Sequence, residues 1–389
     1  MNEPFEHAAA PDRGPLWREV EDPAPAENTQ AKIASLQARL SALASGEDDL
    51  PARAALLCAL ASLYWVQADY AAAEQTWKQG LEAGQRLNDA SLQARCHKGL
   101  GNVYVDLSRY KNALAAYRRA IELDPQFTYA YNGLGNVYRD LGLCDEALSA
   151  YRQAVALDAQ DAYSHHGMGN VYRDLGLYDE ALAAYQRAIQ CNPRDVYPYT
   201  GLANAYRDLG RCDEALLTYQ HAAELDPQFA GSYYGMGNLY QYLRRYEEAL
   251  AAYQRAIVLE PRFAYAYSGL GSVCYELGRY AEALEALEKA LELAPESAIL
   301  YASLAATLRQ LGREAEADDY LAEARPLVER CSAYQRACFF AVAGDLEAAL
   351  LALKTALDRK LVPHAWARHD PDLAALRDDL RFRVLVGKG

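Results

Sequence analysis

The residues of this chain whose types and spacing could do chemistry are few, and each also has a structural reading. His165 and His166 stand side by side, a pairing suited to proton transfer or metal ligation. Adjacent helical residues point about 100° apart, however, and His97 and His165 occupy a position held elsewhere by Tyr131, Tyr199 and Tyr267, so at least one of the pair is expected to pack. Gly133-x-Gly135 and its equivalents look like phosphate loops, but they lie inside a helical pattern with no strand before them. Paired carboxylates such as Asp179-Glu180 sit where a helix should open and suit its dipole. The eight cysteines contain no Cys-x-x-Cys; Cys144 and Cys212 replace tyrosines such as Tyr178, and Cys191 replaces leucines such as Leu157 and Leu225, so they are expected as small buried hydrophobes. No catalytic constellation, metal site or cofactor site follows.

Other polar residues recur without an obvious stacking role. Asn102, Asn136, Asn170, Asn204 and Asn238 return every 34 residues, with Ser272 next in register. Asparagine is a mediocre helix former, by up to about 0.7 kcal/mol relative to alanine, so propensity does not explain the row. Gly99, Gly133, Gly167, Gly201, Gly235 and Gly269 form a second row. A glycine inside a helix costs about 1 kcal/mol, which implies close approach of either a ligand backbone or the adjacent helix. Arg139-Asp140, Arg173-Asp174 and Arg207-Asp208 make a third row, readable as contacts to a partner or as a ladder from one unit's arginine to the next unit's aspartate. Tyr129, Tyr163, Tyr197 and Tyr265 make a fourth, and Tyr234, Tyr242 and Tyr275 are expected to reach the same face.

The elements that position these rows follow from the same period. Small residues recur at Gly101, Gly135, Gly169, Ala203, Gly237 and Gly271. Aromatics recur at Tyr104 to Tyr240 and again at Tyr117, Tyr151, Tyr185, Tyr219 and Tyr253, and alanines recur at Ala113 and Ala120 and their equivalents. Within a unit, Leu134, Tyr138 and Leu141 share one helical face, as do Ala147, Leu148, Tyr151 and Ala154, so each unit is two amphipathic helices. Gly142, Gly176, Gly210 and Gly278 mark left-handed C-caps of first helices, and Pro125, Pro193, Pro227, Pro261 and Pro295 close the units. A unit this small cannot bury its own apolar face, so the expected fold is an all-α solenoid of antiparallel helix pairs.

These offsets resemble the tetratricopeptide repeat family, matched nearly everywhere from Ala94 to Ser297. The resemblance implies a right-handed superhelix whose first helices face a concave groove. It places Asn102, Asn136, Asn170, Asn204 and Asn238, with Lys98, Tyr129, Tyr163, Tyr197, Tyr265, Arg139, Arg173 and Arg207, in that groove as candidate contacts to an extended partner segment. The chaperone-tail clamp of some relatives is matched only by Lys98 and Asn102; Gly133, Tyr163 and Gly167 depart from it.

The pattern fades at both ends. Residues 1–50 read as an acidic, proline-rich flexible segment to about Asn28, with one helix over about 31–43, and its Phe5 and Trp17 could compete for the groove. Residues 51–93 read as a divergent unit with a longer second helix, since Ala61 precedes Gly101 by 40 positions. Six regular units over 94–297 precede a degenerate one at 298–331, and 332–389 holds a divergent last repeat and a cap. A net charge of -14 argues against nucleic-acid or anionic-membrane binding, and no apolar run suggests a signal peptide or membrane span, so a cytoplasmic location is expected. The expected function is noncatalytic protein binding. Recognition-arm duty for a separate enzyme and self-assembly are the alternatives. Alanine at Asn136, Asn170 and Asn204 is expected to leave the melting temperature unchanged or slightly raised while weakening partner binding.

Overall fold

A computed structural model of the chain describes residues 26–43, 49–359, 362 and 364–387. Phe5 and Trp17, the expected groove competitors, lie outside the described residues. The helix expected over 31–43 is α1, Ala26–Ala42, which starts earlier than its apolar spacing suggested.

Helix pairs then follow without interruption. The first helices are α2 (Leu50–Val66), α4 (Ala90–Asp106), α6 (Thr128–Asp140), α8 (Ala162–Asp174), α10 (Val196–Asp208), α12 (Ala230–Tyr242), α14 (Ala264–Glu276) and α16 (Ala298–Gln310). Their partners are α3 (Tyr70–Arg86), α5 (Tyr110–Leu123), α7 (Cys144–Leu157), α9 (Tyr178–Cys191), α11 (Cys212–Leu225), α13 (Tyr246–Leu259), α15 (Tyr280–Leu293) and α17 (Glu314–Val328). The extra length near residue 90 does not belong to one second helix alone. It divides between α3 and α4, each of 17 residues where the next pair has 14 and 13.

Local chemistry sets the boundaries. Gly142, Gly176, Gly210, Gly278 and Gly312 hold φ between +70° and +74°, the left-handed turn that ends each first helix. Asp89, Asp161 and Asp195 open first helices by accepting the backbone N–H of Leu92, Tyr163 and Tyr197 at 2.9, 3.2 and 3.1 Å. Alanines such as Ala113, Ala147, Ala181, Ala215, Ala249 and Ala283 on the second helices are wholly buried.

Each second helix packs on the next unit's first helix, and successive first helices also meet one another, whereas successive second helices barely do. First helices therefore crowd the inner side of the curve. That arrangement makes their shared face the concave one.

Stacking changes at the C-terminal end. α18 (Ala333–Ala343) packs mainly on α16, with little contact to α17, and pairs with α19 (Leu346–Asp358). A short helix α20 (His364–His369), a 3-10 turn over Pro371–Leu376 and α21 (Leu380–Val386) close the end by burying Leu373, Leu376, Phe382 and Val386 against Ala337 and Leu353. A solenoid needs such a cover over its last stacking face.

Arg244 holds φ +58° at the cap position where five other units carry glycine, and Ala68 and Ser108 hold it likewise at +59° and +55°. Replacing it with glycine should stabilise the protein by about 0.5 to 1 kcal/mol, since the left-handed region is strained for a side chain with a Cβ. A thermal melt checks this, and a lower melting temperature would contradict it.

Candidate functional site

The asparagine row is bound to the tyrosine row beneath it. In five successive units the tyrosine of the second helix donates its hydroxyl to the Oδ1 of its own unit's asparagine: Tyr117 to Asn102 at 2.8 Å, Tyr151 to Asn136 at 2.5 Å, Tyr185 to Asn170 at 2.6 Å, Tyr219 to Asn204 at 2.6 Å and Tyr253 to Asn238 at 2.7 Å. These rings are at most 1 % exposed. Burial pushes the Tyr219 phenol up to about 12, and those of Tyr117 and Tyr253 well above their usual value, so the hydroxyls stay protonated donors at neutral pH. A buried hydroxyl left without its acceptor costs about 1 to 3 kcal/mol, which exceeds the propensity gain from alanine. The expectation that alanine in this row spares stability is therefore corrected.

Both glycine rows grip the same rings. A Cβ added at Gly133 or at Gly101 would lie 2.4 or 2.6 Å from Cε1 of Tyr117, and Gly167 and Gly135 close on Tyr151 in the same way at 2.5 and 2.6 Å. The pattern continues with Gly201 and Gly169 on Tyr185, and with Gly269 and Gly237 on Tyr253. Each ring is thus sandwiched between the first helix of its own unit and that of the next. The close approach implied by these glycines is to the adjacent helices, and no ligand backbone is needed to explain it. The signal was in the sequence: where Ser272 replaces the asparagine, Leu287 replaces the tyrosine, and the following unit has Ser303 in place of glycine.

The remaining rows lie on the inner helices. Arg139, Arg173 and Arg207 pair with their neighbours Asp140, Asp174 and Asp208 at 3.5, 3.9 and 2.9 Å, and Arg173 also reaches Asp208 of the next unit at 4.0 Å. The pairing runs both within units and between them. Burial raises the Asp140 carboxyl above its usual range, against the pull of Arg139. At the N-terminal end the Trp65 indole donates to Asp106 at 2.6 Å in the register of the Arg173 to Asp208 contact. Tyr129 is 47 % exposed and lies 5.5 Å from the Lys98 ammonium, while Lys98 and Asn102 are buried. Tyr163, Tyr197 and Tyr265 are half-buried, and Tyr163 accepts from the Asn136 amide nitrogen. Tyr242, expected on the same face, is 41 % exposed near the end of α12.

Sequence comparison agrees with this geometry. Descriptions of the family match as "TPR repeat" at residues 101–142, 135–176, 169–210 and 203–243, and as "Tetratricopeptide repeat" at 234–298 and 275–338. The matches run continuously over 101–338, more than half of the chain. The chain belongs to the tetratricopeptide repeat family. No curated protein matches it. Among solved structures, a tetratricopeptide repeat protein from Parabacteroides merdae shares 18% identity at a TM-score of 0.54, covering 66% of this chain and 98% of its own, which supports the fold. A thermophilic TPR protein from Thermus thermophilus is 27% identical over 47% of this chain and 99% of its own at a TM-score of 0.43. MamA is 29% identical over 42% and 95% at 0.37. At those two scores the likeness adds nothing further.

Within this tetratricopeptide array the chemistry candidates resolve as packing groups. His166 is buried beside Tyr185 and meets the Asn170 amide at 3.5 Å. His165 reaches the Ala159 carbonyl at 3.3 Å, as Tyr131 and Tyr199 reach those of Pro125 and Pro193. Among the described residues, one group brings metal-ligand atoms together: Cys338, Asp370 and Asp372, within 4.8 Å of one another in the C-terminal cap. Asp370 already accepts the Tyr334 hydroxyl and the Asp372 backbone N–H, and burial holds the Cys338 thiol protonated. The cluster anchors the cap on α18. No helix among the described residues is long and apolar enough to cross a membrane.

Two substitutions and one triple variant test this reading. Gly167→Ala should destabilise by about 1 to 3 kcal/mol despite alanine's helix preference, because the Tyr151 ring is held from the other side by Gly135 and by its hydroxyl bond. The combined alanine substitution of Asn136, Asn170 and Asn204 should lower the melting temperature, and an unchanged melt would contradict the buried bonds. Burial beside Asp370 pushes Asp372 up to about 8, so the folded state loses stability as pH rises from about 4 through about 8. Asp372→Asn should therefore raise the melting temperature more at about pH 8.5 than at about pH 6, and an equal gain at both would contradict the shift.

Proposed function

We propose that this protein is a noncatalytic scaffold, acting in the cytoplasm, that binds an extended segment of a partner protein along its concave face. The observation that carries this reading is the set of tyrosines that stay part-exposed on the first helices although they also touch neighbouring side chains. Tyr129 on α6 and Tyr242 on α12 are nearly half exposed, with half-buried Tyr163, Tyr197 and Tyr265 on α8, α10 and α14. Tyrosine supplies contact area at little entropic cost, and exposed rings lining a groove serve binding better than folding. The Arg–Asp pairs neutralise one another, so the groove selects by shape and aromatic contact more than by charge. The amide oxygens are committed to the tyrosines beneath, and the amide nitrogens of Asn136 and Asn170 already meet Tyr163 and His166, so the row offers a partner little hydrogen bonding.

A displayed library of random dodecamer peptides tests this. The protein should enrich a family of sequences, and Tyr129→Ala with Tyr242→Ala should weaken the selected peptides about tenfold without changing the melting temperature. Enrichment of peptides indifferent to both substitutions would contradict groove binding. A second reading, self-association through the C-terminal end, is favoured by Leu380 and Val384, exposed by 74 and 59 % on one face of α21. Light scattering that shows a monomer at micromolar concentration would remove it.

A further inference from the structure

Two cysteine sulfurs meet between the first two helix pairs. Cys58 on α2 and Cys96 on α4 place their Sγ atoms 3.9 Å apart, in contact but unbonded, and the two residues are 4 and 0 % exposed. Their meeting follows from the stacking register. Asn132 on α6 and Ser164 on α8 stand at the same two positions of a later pair of units, and their side chains hydrogen-bond at 2.5 Å. The register that joins an amide to a hydroxyl there joins two thiols here. Gly80 on α3 faces the sulfur pair. A Cβ at that position would lie 3.2 Å from the Cys96 sulfur and 3.7 Å from that of Cys58, so the absence of a side chain leaves the pair room to rearrange.

We propose that Cys58 and Cys96 are a site of reversible disulfide formation that staples the first helices of the two N-terminal units. A disulfide needs a sulfur separation of about 2.05 Å, so the sulfurs must close by roughly 2 Å from their present contact. Access comes through local opening of a helix pair, which exposes the buried sulfurs to a small reactant. A hydrogen bond from the Cys96 thiol and the charge of Arg95 favour the thiolate on Cys58, which makes it the attacking group. With a small disulfide such as glutathione disulfide, the Cys58 thiolate bonds one glutathione sulfur and expels the other as thiolate. Cys96 gives its proton to that thiolate and then displaces the second glutathione, which leaves as a thiolate and takes up the proton that Cys58 released. Two protein thiols are oxidised and one glutathione disulfide is reduced to two thiols.

The test uses the folded full-length chain in a glutathione disulfide buffer, alkylated and digested with trypsin without reduction. The expected product is the peptide Ala54–Lys78 joined to Cys96–Lys98, with two hydrogens lost, and it should disappear on treatment with dithiothreitol. Cys58→Ser should abolish the linked product while retaining the helical circular-dichroism spectrum. Amide exchange in α2 and α4 should slow at least about fivefold on oxidation. Eight alkylatable cysteines after prolonged oxidation, or linkage that forms only in denaturant, would overturn the proposal; unchanged exchange in the linked protein would overturn the stapling.

Discussion

A buried phenol that must donate its hydroxyl is the constraint around which this solenoid is arranged. A tyrosine ring at the junction of three helices supplies more apolar area than any aliphatic residue could, but it brings a polar atom into the core with it. An asparagine on the first helix of the same unit accepts that hydroxyl in every unit where the ring occurs. The ring also needs space on two sides. Glycines on two successive first helices provide it for Tyr117, Tyr151, Tyr185 and Tyr253, while Tyr219 has Gly235 on the next unit and Ala203 on its own. Their cost in helix propensity is offset by the packing. One tyrosine thereby fixes the distance between the helices of its own unit and the seat of the next. Because the unit repeats, a single local solution sets the geometry of the whole array.

This constraint also determines what is left for binding. Amide oxygens that the sequence presents as open to a partner are turned inward, and the space beside the glycines, which suggests room for a ligand backbone, is already filled by rings. The groove's remaining character comes from tyrosines that stay part-exposed while touching their neighbours and from arginine–aspartate pairs that cancel locally. The negative whole-chain charge is therefore a poor guide to the inner face, where each guanidinium is held beside a carboxylate.

The array was legible in the sequence because a fixed period repeats both its apolar faces and its punctuation. Glycines 142, 176, 210 and 278 announced their left-handed turns, since little else occupies that conformation without strain. The two roles of the repeating polar residues were harder to separate. A periodic asparagine has the same appearance whether it faces a ligand or a buried hydroxyl, and only the joint loss of Asn and Tyr at Ser272 and Leu287 distinguishes the cases. Irregular features were less visible: the division of extra length between α3 and α4, and the seating of α18 on α16, depend on packing without a periodic counterpart.

The most direct test of the tyrosine–asparagine bond as the organising contact is a double-mutant cycle on Tyr219 and Asn204, with Tyr219→Phe, Asn204→Ala and both together. Either single change should be destabilising, and the pair should lose less than the sum, with a coupling energy of about 1 kcal/mol from denaturant unfolding. Strict additivity, with no coupling between the two positions, would contradict this account.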